Sequence, residues 1–289
     1  MTLSWFHLVL FYIVTNAASK LLQKYSVQDE EVDPTAYSAY FLLAVGLLTI
    51  PFLPFEKIQY PTEPKIWLVV LLSSIFYTVC MILFFKALKT IEVSQVEALA
   101  TIRTIWLMLL GVIFFKEQLY LSQVVGIFLI FFGLVVIYWQ RGKEFHFEKP
   151  HLYTLSYAIL ISCAYALDKY LLSYFSVALF QVVIYLIPAL ITIIFVPNTF
   201  EKMKVLVKPR KNNYIILLCC FLQMLSTLAL YRAYQIGELS LVGPLAQTSI
   251  IVTIIVGLIV LKERWNLRRK IIGIILAILG IAFIKFIIF

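Results

Sequence analysis

Of the chain's 289 residues, 63% are hydrophobic and 13% charged, and the mean hydropathy is +0.97. Soluble domains carry about a quarter of their residues as charges, so this composition excludes one and makes lipid the solvent. The formal charge of +9 does not mark a nucleic-acid binder, because the basic residues sit in short connections between apolar stretches, where topology signals belong.

A hydrocarbon core about 30 Å thick takes roughly twenty helical residues. Apolar stretches of that length read as spans at 5–24, 35–54, 66–87, 93–115, 120–139, 152–172, 176–196, 214–235, 239–261 and 267–287. Only helices and closed barrels satisfy their backbone in lipid, and continuous apolar runs without period-two alternation exclude the barrel. The fold class is therefore an all-α membrane protein of ten transmembrane helices. The first span has no basic leader or small-residue cleavage site and runs into Asn16, Ser19 and Lys20, so it reads as a retained helix. In the third, Tyr77 stands where Gln223 stands in the second half of the chain.

The fourth span carries Ser94, Glu97, Thr101 and Thr104 at three-four spacing, one polar stripe that should face the interior. Glu97 lies about one turn inside its helix, at a depth where Lys20 of the first span could pair with it. Arg103 falls off the stripe and needs its own partner, Asp168 or backbone carbonyls. Residues 124–137 and 271–284 of the fifth and tenth spans hold no strongly hydrogen-bonding side chain and tolerate lipid all round. Their glycines, Gly126 with Gly133 and Gly273 with Gly280, are seven residues apart and let a neighbouring helix approach. The sixth span presents Ser162, Tyr165 and Lys169 on one face, and the eighth presents Gln223, Thr227 and Tyr231. Gln247 follows Pro244 in the ninth, where the missing N–H loosens the preceding turn. Together Asn16, Lys20, Tyr77, Glu97, Thr101, Thr104, Ser162, Tyr165, Lys169, Gln223, Thr227, Tyr231 and Gln247 outline a small-molecule site of aromatic walls and scattered polar groups. The four cysteines, Cys80, Cys163, Cys219 and Cys220, all lie within spans, as packed hydrophobes rather than disulfides.

The chain repeats itself. A shift of 146 residues lays Ala87 on Ala233, Ser94 on Ser240, Leu99-Ala100 on Leu245-Ala246, Gly111 on Gly257 and Lys116-Glu117 on Lys262-Glu263. One further residue aligns G-I-x5-G at Gly126 and at Gly273, and Lys20 pairs more weakly with Lys169. The repeats are residues 1–144 and 145–289. Five spans per repeat is an odd number, so the second half enters the membrane from the opposite side and the repeat is inverted. Inverted repeats rock about a central site, the architecture of many secondary transporters.

These residues resemble the ten-helix drug/metabolite transporter superfamily of EamA type: Gly111 to Lys116-Glu117, Gly257 to Lys262-Glu263, a G-I-x5-G helix after each, and Lys20 and Lys169 ending the first helix of each half. The resemblance covers essentially the whole chain. It implies a bundle in which helices one to four and six to nine surround a central cavity while helices five and ten are peripheral. It also implies export or exchange of amino acids, nucleotide sugars, drugs or other metabolites, without a bound cofactor. The function expected is secondary transport of small metabolites, with amino acids or other zwitterions suggested by the mixed charge of Glu97, Lys20, Lys169 and Arg103. The partners expected are a small-molecule substrate and the bilayer, with no nucleic acid, and the location is the plasma (inner) membrane.

An intramembrane enzyme, a channel and a non-transporting scaffold are the alternatives. His7, His146 and His151 have no zinc-ligand spacing or nucleophile partner, no phosphate loop is present, and no filter motif stands out. The connections after odd-numbered spans hold 17 Lys/Arg against 6 after even-numbered spans and at the C-terminus, which places both termini outside. The resembled family usually has them inside; the charge count is preferred. Substrate, direction, coupling ion and the choice between monomer and homodimer have no sequence signature.

Overall fold

The computed structural model describes residues 4–27, 31–91, 96, 99–138, 148–207, 213–249, 251–252 and 267–286. Its helices are α1 (Trp5–Val27), α2 (Pro34–Thr49), α3 (Pro64–Thr90), α4 (Arg103–Phe115), α5 (Leu121–Tyr138), α6 (Lys149–Leu171), α7 (Val177–Phe195), α8 (Thr199–Val207), α9 (Asn213–Ile236), α10 (Leu239–Gln247) and α11 (Leu267–Phe286). Helix starts follow local chemistry. Asp33 caps α2 by accepting from the Thr35 and Ala36 amides, with Pro34 in the first turn, where its missing N–H costs nothing. At the start of α6, the Glu148 carboxylate and the His151 ring form a reciprocal cap, which gives His151 a structural place.

The second span ends differently from its prediction. Its last turn, Ile50–Phe55, is 3-10 helix, as Pro51 and Pro54 withdraw two backbone donors from the α pattern. The connection after the seventh span contains the short amphipathic α8, whose Met203 packs on Ala36 and Ala39 of α2 while its lysines face out.

Packing displays the repeat directly. Helix α1 lies along α9 and α3 along α6, while α2 packs on α7, α4 on α10 and α5 on α11. Exchanging the two halves turns the first pair into the second and each of the other three into itself, as a twofold relation between five-helix units requires. Contacts between connections also sort by parity. On one face the Lys89 ammonium donates to the Val32 carbonyl at 2.6 Å and Lys202 pairs with Asp33 at 2.9 Å. On the other, the Ser176 amide donates to the Gln59 carbonyl at 3.0 Å and the Ala178 amide to Glu56 at 2.9 Å. Odd connections meet odd and even meet even, the result of a chain that crosses at every span. The halves are inverted repeats.

Helices α5 and α11 pack on each other in a second hydrophobic cluster, which Leu241 of α10 and Ile251 join. A Cβ on Gly126 would lie 2.7 Å from the Gly280 carbonyl, and one on Gly133 2.7 Å from that of Gly273. The glycines are therefore the contact surface, and each repeat's G-I-x5-G faces the other's in antiparallel register. The outer faces are apolar and exposed, including Phe128, Phe132, Ile275 and Leu279, as suits lipid.

Candidate functional site

Two spans are interrupted at matching positions of the repeat. In the fourth, residues 99–100 are helical, Thr101 and Ile102 form a turn, and α4 starts at Arg103. In the ninth, α10 stops at Gln247, Thr248 is a turn, and helix resumes at Ser249. The bonds tighten to three-residue closure at both places: Thr104 amide to Thr101 carbonyl, 2.9 Å, and Ile251 amide to Thr248 carbonyl, 2.8 Å. Irregular backbone inside a membrane is tolerated where protein or a polar cavity satisfies it. Arg103 Nε takes up one freed carbonyl, that of Ala100, at 3.2 Å.

A cavity of about 60 Å³ opens beside these breaks. From α1 it is lined by Tyr12, Asn16, Lys20 and Gln23, from α2 by Phe41, from α3 by Tyr77, Met81 and Phe84, and from α4 by Arg103. The second repeat supplies Tyr157, Ile161 and Tyr165 of α6, Tyr185 of α7, Gln223, Thr227, Leu230 and Tyr231 of α9, and Gln247 of α10. Eight helices, four from each repeat, thus converge on one space, large enough for a few waters.

Polar groups on the wall are tied into the frame. Asn16 Nδ2 donates to Ser249 Oγ at 3.2 Å. Gln23 Nε2 donates to Gln223 Oε1 at 3.2 Å and to Ser19 Oγ at 3.1 Å, and the Ser19 hydroxyl reaches Gln223 Oε1 and the Cys219 carbonyl, each at 3.1 Å. Thr227 donates to the Gln223 carbonyl at 2.8 Å. These bonds hold the amides in fixed orientations along the α1–α9 seam. Arg103 donates through Nη1 to the Tyr157 hydroxyl at 3.1 Å, with its guanidinium carbon 5.2 Å from that ring's centroid, a cation–π contact. Of the two partners foreseen for Arg103, the backbone carbonyl is present. Asp168 is instead held by Ser73 and Tyr77.

Eight of the thirteen sequence candidates lie on this wall: Asn16, Lys20, Tyr77, Tyr165, Gln223, Thr227, Tyr231 and Gln247. Glu97, with Ser94 of the same stripe, is outside the described residues. Thr101 and Thr104 are buried in packing near the break, because the turn at Thr101–Ile102 dissolves the regular spacing on which the stripe was projected. Ser162 donates back to the Ala158 carbonyl at 2.7 Å, satisfying itself within α6.

Lys169 lies off the cavity altogether. Its ammonium donates to the Gly237 carbonyl and, at 3.4 Å, to that of Tyr234, and it pairs with Glu117 at 3.5 Å. The physical reason is the negative end of α9, whose bare carbonyls attract a cation that can reach past the end of α6. Glu117 in turn accepts from the Leu239 and Ser240 amides, both at 2.8 Å, capping α10.

Wall residues missed from the sequence are mostly apolar or aromatic: Tyr12, Phe41, Met81, Phe84, Tyr157, Ile161, Tyr185 and Leu230. In a chain this hydrophobic such residues look like any other core position. Gln23 was findable, because it continues Asn16 and Lys20 at three-four spacing on α1.

No curated protein sequence matches the chain. Twenty-nine solved protein chains do match in structure; one, a crystal structure sharing 16% identity over 96% of each chain, superposes with a TM-score of 0.74, a likeness of fold. The model of the EamA-like transporter family matches twice, over residues 3–139 and 148–286. With a cavity enclosed by those same two halves, the chain is a multi-pass membrane protein that belongs to the EamA-like transporter family.

Proposed function

We propose that the protein is a secondary transporter that carries small metabolites, amino acids or other zwitterions foremost, across the plasma membrane by alternating access. The observation that carries this reading is one cavity to which both inverted repeats contribute four helices each, set against two broken spans. Its wall combines aromatic rings with the amides of Asn16, Gln23, Gln223 and Gln247 and the cations Lys20 and Arg103, which suits a small polar solute bearing a carboxylate. A cavity shared by two inverted halves would take up and release solute as those halves move against each other, the motion that inverted repeats provide. Glu97, outside the described residues, is the acid that the sequence offers to the ammonium of a zwitterion.

Purified protein in proteoliposomes, offered a panel of radiolabelled amino acids, should take up at least one in a saturable manner. Replacing Gln247 by Ala should raise KM about tenfold, the loss of about 1.4 kcal/mol of hydrogen bonding. Absence of uptake for every amino acid and other zwitterion tested, with protein that remains monodisperse and folded, would remove this substrate class.

A further inference from the structure

Asp168 is fully buried on α6, about a turn before its end, and does not itself line the cavity. Ser73 of α3 donates to Oδ1 at 3.1 Å, and the Tyr77 hydroxyl donates to Oδ2. Tyr77 also faces the cavity, and its oxygen lies 3.4 Å from that of Tyr231, another wall residue. A phenol thus bridges a sealed carboxylate and the space where solute would bind.

We infer that Asp168 is a proton-binding site, loaded and unloaded from the cavity through the Tyr77 hydroxyl. The inference rests on the transport reading and adds the coupling ion to it. An ionised carboxylate inside a membrane bundle is costly without a cation, and among the described residues no Lys, Arg or His pairs with Asp168. The titratable groups facing it are phenols: Tyr77 from α3, Tyr185 from α7, and Tyr231 and Tyr234 from α9. On its own helix, Lys169 turns to Glu117 and the end of α9. From α4, Arg103 engages the Ala100 carbonyl and the Tyr157 hydroxyl, about three turns along α6 from Asp168. Among the described residues two hydroxyl donors hold the carboxylate, an arrangement that keeps both protonation states within reach.

The transfer balances. Tyr77 passes its hydroxyl proton to Oδ2 while its oxygen accepts one from a hydronium ion in the cavity, directly or by way of the Tyr231 hydroxyl, which is itself reprotonated from the cavity, and the net change is one proton moved from cavity to carboxyl. Protonated Asp168 no longer draws on the Tyr77 hydroxyl as strongly, which frees that hydroxyl for a solute. Proton and solute occupancy are linked at one oxygen atom, and by linkage each must alter the affinity for the other.

The test is infrared difference spectroscopy on lipid-reconstituted protein carrying carboxyl-13C aspartate. The sequence has three aspartates, Asp29, Asp33 and Asp168, so an Asp29→Asn/Asp33→Asn background leaves the label on one. A carboxylic-acid C=O band, isotope-shifted, should appear on acidification and vanish on alkalinisation, and Tyr77→Phe should move its frequency. Asp168→Asn should abolish it, and Asp168→Glu serves if the Asn variant does not fold, since the labelled band must then disappear. No labelled band titrating between mildly acid and alkaline pH, or a band indifferent to Tyr77→Phe, overturns the inference. The spectrum needs no solute, so a failed uptake panel would count against the transport reading without touching this result.

Discussion

Glu117 ties together three helix ends at one face of the bundle. Its carboxylate receives the first amides of α10 and the ammonium of Lys169, which itself covers the last carbonyls of α9. Negative charge at a helix start and positive charge at a helix end both follow the helix dipoles. Gly111 belongs to the same knot, because a Cβ there would lie 2.9 Å from the Ser240 amide nitrogen. Glu117→Gln should therefore lower stability by about 2 kcal/mol or more, through a weakened cap and an unpaired Lys169. Thermal unfolding in detergent reads this loss, and Lys169→Met should add less to it than it costs alone. Additive losses would show that the two residues act separately. The sequence displayed the residues of this knot as a repeated Lys-Glu pair and a repeated lysine but not the joint they make. Three-four spacing predicts which residues share a face; it does not say that a long side chain near a helix terminus will leave that face for bare carbonyls. Asn16, Tyr165 and Gln223, well inside their helices, have no such escape, and the structure sets them on the cavity wall.

At the scale of elements, the spans were legible from hydropathy and the breaks within two of them were not. Pro244 marks the ninth span, yet its break comes at Thr248, and the fourth span has Ala98 where the ninth has Pro244. Interruption in both halves is thus a property of the fold and not of one proline. The glycine contact of α5 with α11 was legible because a glycine pair at seven-residue spacing on an otherwise apolar helix has few other uses. Gly133→Leu should force that pair apart, since a Cβ already lies 2.9 Å from the Ala277 nitrogen. We expect a loss of about 1–3 kcal/mol in thermal unfolding with wall residues undisturbed; an unchanged melting temperature would contradict the contact. The start of α2 gives a pH-dependent counterpart. Partial burial by itself would raise the Asp33 carboxyl, but the Ala36 amide, Lys202 and the Thr35 amide outweigh it and hold the group below the usual aspartate range. A depressed carboxyl adds stability above its unfolded value and loses it as pH falls through the folded one. Asp33→Ala should cost about 1 kcal/mol near neutral pH, as other N-caps do, and nothing once acid has protonated the group. Equal costs at both pH values would rule out the ionised cap.

For the molecule as a whole, five spans per repeat and the parity of connection contacts describe a chain that crosses ten times, with its basic connections on one face. From the positive-inside rule we predict that this face is cytoplasmic. Lys204, exposed on α8, reports on it: a Lys204→Cys protein lacking Cys80, Cys163, Cys219 and Cys220 should resist an impermeant thiol reagent in intact cells and react after permeabilisation. Labelling in intact cells would reverse the orientation. The most direct test of the central claim is counterflow in proteoliposomes. A carrier whose two inverted halves expose one cavity alternately must concentrate labelled solute transiently when excess unlabelled solute waits inside, because label that has entered competes with unlabelled solute for the return. The account predicts such counterflow for the solute taken up, and its reduction by Gln247→Ala. Uptake that is indifferent to solute on the far side would mean a continuous pore, and would contradict alternating access.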